Sequence, residues 1–308
     1  MSFVLKDVLR SSMDSSINFI FRNDQGQILE SRFVQRDPDK FIIYLSSQTG
    51  CEQACRFCHL TQMGHNKNVS STSLEEFSYQ ALTVLRHMEI QSAIQLTATK
   101  ISFNFMARGE PFVNSLFQTN PDRIYATLTD IAAQYGYTDV DFKVSSILPR
   151  FTADDTLSFT LPYRAMLDRA IFQSKYDVRL YYSLYSTSAA FRKHWMPRGL
   201  SPESAGQILF GTSDRLVLHQ AFISDENDST HDVEAILNWM YHYRIKADVN
   251  LVRYNPFSVN CGREAPASRI ENCMETFSAS AQVKTIQLIN RVGLDVSASC
   301  GMFVTGEE

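Results

Sequence analysis

Apolar positions along the chain follow two rhythms. Alternating or short continuous apolar runs bounded by turn residues mark strands, and three-to-four-residue spacing marks helices. "SINFIFRN" and "ILESRFVQ" flank "NDQGQ", which predicts a hairpin turning at Gly26, with a third strand in "KFIIYLSS". Beyond it the rhythms alternate. Residues 73–88 predict an amphipathic helix opened by a capping box of Ser73 and Glu76. Strands are expected in "KISFNFMA", "DVDFKVSSI", "VRLYYSLYS", "RLVLHQAFI", "ADVNLVRYNPF" and "QVKTIQLIN". Helices are expected in "DRIYATLTDIAAQYG", where Gly136 suits the C-terminal end, and in "SPESAGQILF", "DVEAILNWMYHYR" and "SRIENCMETF". This alternation argues for a parallel α/β fold with right-handed crossovers. In a barrel-like version the loops after the strands gather at one face and hold the site. The expected organisation is a small β extension over residues 1–40 and an α/β body over 41–308.

Composition adds bounds. With 308 residues, 44% hydrophobic and 20% charged, the chain reads as an ordinary soluble protein with a sizeable core. No apolar run suits a membrane helix, and the N-terminal segment has no apolar stretch of a secretory signal, so no membrane and a cytoplasmic location are expected. A net charge of -4 does not advertise a grip on a long phosphate backbone and leaves room only for a local basic rim.

The chemistry sits in "SSQTGCEQACRFCHLTQMG". Cys51, Cys55 and Cys58 follow an expected strand with CxxxCxxC spacing; Cys261, Cys273 and Cys300 are scattered. Clustered cysteines in a chain without a secretory signal point to metal rather than disulfides. Structural zinc normally takes four ligands, and Cys261 with Cys273 is not a typical second pair. A cubane iron–sulfur cluster fits better: three thiolates leave one iron open.

That arrangement resembles the radical S-adenosylmethionine (SAM) superfamily, whose signature includes an aromatic residue before the third cysteine, here Phe57. The flanks are similar to the RlmN/Cfr family of radical SAM RNA methyltransferases. After "SSQTGCEQACRFC" come, in the family's order, "FMARGEP", "KVSS", "YYSLYS", "FRKHWMP", "NDST", "NLVRYNPF" and "SASCG". The resemblance runs from about residue 17 to 304 and implies a partial (βα)6 TIM-like barrel of radical SAM type.

It also implies a [4Fe–4S] cluster on Cys51, Cys55 and Cys58, with SAM chelating the open iron and cleaved to a 5′-deoxyadenosyl radical. Gly109 and Glu110 would touch SAM, as would Ser145, the run Ser183, Leu184 and Tyr185, and Asn255; Tyr185 stands where the family has histidine. Cys300 would take a methyl group and deliver its carbon to carbon 2 or carbon 8 of an adenine in ribosomal or transfer RNA. Glu30, offset by one residue from the family's position, would accept a proton. A flavodoxin-like or ferredoxin-like protein would supply electrons.

Two departures shape the expectation. The family's resolving cysteine, seven residues before the first cluster ligand, is here Tyr44, whose phenol forms no disulfide. Cys261 is a candidate replacement, whereas Cys273 reads as core. The chain also begins almost at the hairpin, without the family's N-terminal accessory domain. Basic candidates for an RNA rim are Arg192, Lys193, His194, Arg198, Arg263 and Arg269, with Trp195 placed to stack a base. The leading expectation is an adenine methyltransferase working through Cys300. The alternatives are a radical SAM enzyme acting on a nucleotide, metabolite or peptide, and a non-catalytic RNA-binding relative.

Overall fold

The structure, a computed structural model, describes residues 2–90, 98–151 and 157–304. One ten-stranded sheet runs in strict chain order: β1 (Val4–Arg10), β2 (Ile17–Arg22), β3 (Ile28–Asp37), β4 (Lys40–Tyr44), β5 (Lys100–Phe105), β6 (Asp139–Ser146), β7 (Asp177–Tyr182), β8 (Leu216–Gln220), β9 (Ala247–Val252) and β10 (Val283–Ile289). The first three pairings are antiparallel, and from β4 to β10 every pairing is parallel. Each parallel step needs a crossover. The helices, in chain order, are α1 (His59–Gln62), α2 (Leu74–Ile90), α3 (Ser115–Thr119), α4 (Pro121–Gln134), α5 (Leu157–Leu167), α6 (Ala189–Trp195), α7 (Pro202–Ile208), α8 (Thr230–His242) and α9 (Ala267–Ser278).

Strand alternation sorts the side chains of this sheet. Phe103, Phe142, Val144, Leu180, Leu218, Val249 and Leu251 are buried in the main core with residues of the helices. Their neighbours Asn104, Lys143, Tyr181, His219 and Asn250 point the other way and line an interior cavity. The barrel is therefore greasy outside and polar inside. An aromatic cluster of Phe77, Phe105, Phe117, Tyr125 and Phe142 ties α2, α3 and α4 to β5 and β6. Each such ring stabilises the fold by roughly 1.5–3 kcal/mol through burial.

The local signals operate as their chemistry requires. Glu76 N–H donates to Ser73 Oγ at 3.2 Å and Ser73 N–H to Glu76 Oε2 at 2.7 Å, closing the capping box. Gly26 turns the hairpin at φ +73° and Gly136 ends α4 at φ +84°. Ser201 accepts from Ser204 N–H at the start of α7. Two elements escape the pattern. β1 lies at the sheet edge with no fully buried position, so it carries no apolar alternation. α5 contains Pro162, a residue that argues against helix in a sequence. No helix among the described residues is long and apolar enough to cross a membrane.

Candidate active site

The cavity, about 280 Å³, opens at the C-terminal ends of the parallel strands. Its lining includes Cys51, Cys55, Cys58, Gly109, Glu110, Ser145, Ser183, Tyr185, Asn255 and Cys300. Nearly all the residues singled out in the sequence thus meet in one place, although they span 250 positions of chain. Leu184 and Glu30 are the two that do not line it. Leu184 is fully buried in the main core, so only its backbone can serve a ligand.

The cysteines occupy the loop after β4. Cys51 N–H donates to His65 O at 3.0 Å, and Cys58 N–H to Cys55 O at 3.1 Å, so the loop folds back on itself. Phe57 stacks against Tyr185 with centroids 4.8 Å apart. Burial pushes all three thiols up, Cys58 to about 11, and Cys51 and Cys55 each feel a neighbouring thiolate. Three thiols that resist ionising together suit a cationic iron cluster, which takes thiolates. Among the described residues no three His, Cys, Asp or Glu side chains converge on a single-ion site. A cube, held at three separate corners, does not ask for such convergence.

Gly109 sits at φ +106°, and a Cβ there would lie 2.6 Å from Ser47 Oγ and 2.7 Å from Gln48 N, so no larger residue fits. Beside it, Glu110 accepts from Phe112 N–H at 3.2 Å and Ile147 N–H at 3.1 Å. Burial outweighs these bonds and pushes its carboxyl up to about 7. It is the one carboxylate among the described cavity-lining residues. A close backbone approach next to a buried carboxylate fits a ligand that carries an ammonium group.

Cys300 is exposed, and the surface it exposes faces the cavity. Its loop is held by groups the sequence reading did not foresee. Asn255 Nδ2 donates to Cys300 O at 2.9 Å and Ser299 Oγ at 3.2 Å, while Asn255 Oδ1 accepts from Arg291 Nε at 2.8 Å. His59 N–H donates to Gly301 O at 3.0 Å. Arg32 donates to Ala298 O, Ser299 O and Met302 O at 3.1, 3.3 and 2.6 Å. The side chain of Asn255 thereby aims the thiol loop, whatever its backbone offers a ligand. No sequence signal marks Arg32, because a lone arginine in a strand normally faces water.

Glu30 is fully buried. It accepts from Arg108 Nε at 2.8 Å, Arg32 Nη2 at 3.2 Å, Asn18 Nδ2 at 3.1 Å and Val304 N–H at 3.1 Å. Burial raises its pKa, but Arg108, Arg32 and Asn18 outweigh it and hold the carboxyl below its usual range. Such a group is a poor proton acceptor and a strong structural anchor.

The suggested thiol substitute, Cys261, is buried away from the cavity, with its Sγ 3.4 Å from Ser258 Oγ and its carbonyl bonded by the Tyr254 hydroxyl. Cys273 is fully buried in the main core. Tyr44 lines the cavity, paired in register with Arg32 and Asn104. Of the proposed RNA rim, Arg192 and Trp195 fold inward, while Lys193, His194, Arg198, Arg263 and Arg269 stay exposed. Arg192 is buried, donating to Leu184 O and Leu200 O at 2.7 Å each. Trp195 is buried and donates to Glu226 at 3.1 Å. Arg269 pairs with Asp225 and Asp228 at 2.8 and 2.9 Å, and Arg263 with Asp225 at 3.4 Å.

Tyr185 adopts φ +59°, unusual for an aromatic residue. Asn227 holds it there: Nδ2 donates to Tyr185 O at 2.9 Å and Ala221 O at 3.0 Å, and Oδ1 accepts from Ile223 N–H at 2.8 Å. Asn227→Ala strands three buried backbone groups and should cost about 2–3 kcal/mol, read from the shift in a urea unfolding midpoint.

No family model matches the chain. Curated relatives do. The dual-specificity RNA methyltransferase RlmN of Alkalilimnicola ehrlichii is 26% identical over 303 residues, covering 95% of this chain and 74% of the relative. A probable RNA methyltransferase of Rhodopirellula baltica is 23% identical, covering 99% and 74%. In structure, a radical SAM methyltransferase from Sphaerobacter thermophilus superposes with a TM-score of 0.72 at 19% identity, over 97% of this chain and 80% of that one. Over nearly its whole length the chain is thus similar to RlmN-named RNA methyltransferases, of which it spans about three quarters, and it shares the fold of a radical SAM methyltransferase.

Proposed function

We propose that the protein is a radical SAM methyltransferase that methylates carbon 2 or carbon 8 of an adenine in RNA through a methylated Cys300. The observation that carries this reading is the meeting of Cys300 with Cys51, Cys55 and Cys58 in one cavity. The relatives named as RNA methyltransferases support the substrate class. Cys51, Cys55 and Cys58 would hold the [4Fe–4S] cluster, which when bound and reduced by a flavodoxin-like or ferredoxin-like donor supplies the electron that cleaves SAM. The protein's own residues do the rest of the positioning. Glu110 would face the SAM ammonium, Gly109 would admit a close backbone contact, and Ser145, Ser183 and Tyr185 would close around it. Asn255, His59 and Arg32 hold the Cys300 loop at the cavity that would house the cluster.

Incubation of the anaerobically reconstituted protein with SAM should add one methyl group to Cys300 by intact mass and peptide mapping, and Cys300→Ala should add none. Brisk reductive SAM cleavage without a methyl on Cys300 would reject the reading.

A second reading has its own support. Tyr44 stands at the cavity wall where a thiol would resolve the product, and Arg192 and Trp195 are buried and engaged internally. Both observations favour a radical SAM enzyme that retains the cofactor core and acts on a smaller substrate.

A further inference from the structure

Inside the barrel, on the inward-facing positions of the strands themselves, the cavity has a floor that nothing above uses. Lys143 lies two residues before Ser145 on β6, and its ammonium stands 5.6 Å from the ring centre of Tyr181 on β7. Both line the cavity with Tyr44, Asn104, His219 and Asn250. Lys143 makes no hydrogen bond or ion pair with a described residue. The carboxylate nearest on its own strand, Asp141, is already engaged by Lys40 at 2.5 Å, by Lys100 at 3.4 Å and by the Ser102 hydroxyl.

The charge balance of the cavity is one-sided. Arg32, Arg36, Lys143, Arg253 and Arg291 line it against the single carboxylate of Glu110. Arg32 is matched by Glu30, and Arg253 and Arg291 by Glu264. That leaves Lys143, which feels only the shared charge of Asp141, and Arg36 at the exposed edge without a carboxylate bonded to them among the described residues. The floor's amides add to this. Asn250 Oδ1 accepts from Gln287 Nε2 at 2.8 Å, which leaves its NH2 group without a partner among the described residues, while the Asn104 amide pairs with the Ser102 hydroxyl. Burial keeps the His219 imidazole neutral, its pKa pushed down to about 4, and keeps the Tyr181 phenol protonated. Each therefore offers a donor. A half-buried ammonium among donors, whose nearest carboxylate is shared with two other lysines, is a costly arrangement unless an anion completes it.

We propose that this floor is an oxyanion subsite, in which Lys143, with Asn104, Asn250, Tyr44, Tyr181 and His219, holds the phosphate or carboxylate group of a small-molecule substrate. The assignment rests on the second reading above, in which the cavity takes a substrate smaller than RNA. Burial and Lys40 push the Lys143 ammonium down to about 8, against the pull of Asp141, with Arg36 and Arg179 adding to the push. A bound anion reverses that shift, so anion affinity should fall as pH rises through that value; Tyr181 and His219 stay neutral across it, and Tyr44 is the remaining titratable group at the floor.

The test is isothermal titration of the cluster-loaded protein with inorganic phosphate and, separately, malonate at constant ionic strength. Lys143→Gln should weaken binding of the preferred anion by about tenfold or more, as loss of a charge-assisted bond implies, whereas Lys143→Arg retains it. Phosphate preferred over malonate names a phosphorylated substrate, and the reverse a carboxylate. SAM binding, measured in parallel, should be unchanged in Lys143→Gln. Should that variant lose SAM binding through misfolding, Asn250→Ala keeps the lysine and should still weaken the anion severalfold. Equal affinity in wild type and variants, no anion binding by the wild type, or phosphate that competes with SAM for one place would overturn the assignment. So would a Lys143→Gln defect confined to an adenine-containing oligoribonucleotide. Failure of the wild type to bind SAM defeats the radical SAM reading but leaves the anion result readable.

Discussion

Replacing Cys51, Cys55 or Cys58 with alanine is expected to yield a colourless protein whose reductive SAM cleavage falls to background, while Cys261→Ala and Cys273→Ala stay brown and active. The contrast follows from position. The first three thiols reach one cavity, whereas Cys261 is bonded away under its own loop and Cys273 lies in the core. A cluster with an open iron has no spare protein ligand, so loss of one thiolate releases it rather than loosening it. Iron and sulfide analysis with visible absorption of anaerobic preparations reads the result. Zinc at the trio, or unchanged colour in any of the three variants, would remove the basis of the proposed chemistry.

Arg108→Met should destabilise the protein by about 3–5 kcal/mol, because it leaves a buried carboxylate without its main partner. Arg108 and Glu30 are both fully buried and Arg32 nearly so. The effect should reach Cys300. Arg108 also donates to Val304 O at 2.9 Å and Thr49 O at 3.4 Å, joining the C-terminal loop to the cysteine loop. Phe303 covers both guanidinium groups, with Arg32 at 4.9 Å and Arg108 at 5.7 Å from its ring centre. Arg108→Lys should rescue little, since an ammonium cannot reproduce the fork of bonds. Glu30 adds a pH signature. Its folded pKa is depressed, so its contribution is fully present above the unfolded value of about 4.3 and is lost as pH falls through the lower folded value. Urea midpoints in acid should therefore converge for wild type and Glu30→Gln. A Glu30→Gln protein as stable as wild type at neutral pH, yet inactive, would restore a proton-accepting role to Glu30.

Much of this was legible in the chain because local chemistry and global fold agree. The capping box at Ser73, the turn at Gly26 and the strand–helix rhythm each require one conformation, and a cysteine loop after a strand in such a fold must lie at the strand ends. Three things were hidden. β1 carries no apolar pattern because an edge strand has none to carry. Glu30, Arg32 and Arg108 look like surface charges one at a time and become a buried cluster only when β3, the loop after β5 and the C-terminal segment meet. Lys143 reads as one more polar strand residue until alternation shows that polar positions line the barrel's inside.

The strand order has a further consequence. A sheet that never doubles back leaves its first and last strands at opposite margins, and the gap is bridged by the tail of the polypeptide. Ser11 and Ser12 grip Asp295 at 2.7 to 2.9 Å across up to 284 positions, Asp14 takes Gly293 N–H at 2.8 Å, and Asn18 takes Val296 O at 3.0 Å. This latch joins the segment around β1 and β2 to the segment that leads into Cys300. Bonds so distant along the chain carry the largest closure entropy, so they form after the nearer ones. During synthesis Cys51, Cys55 and Cys58 emerge well before Cys300, so the cavity is complete only once the segment that carries Cys300 has docked.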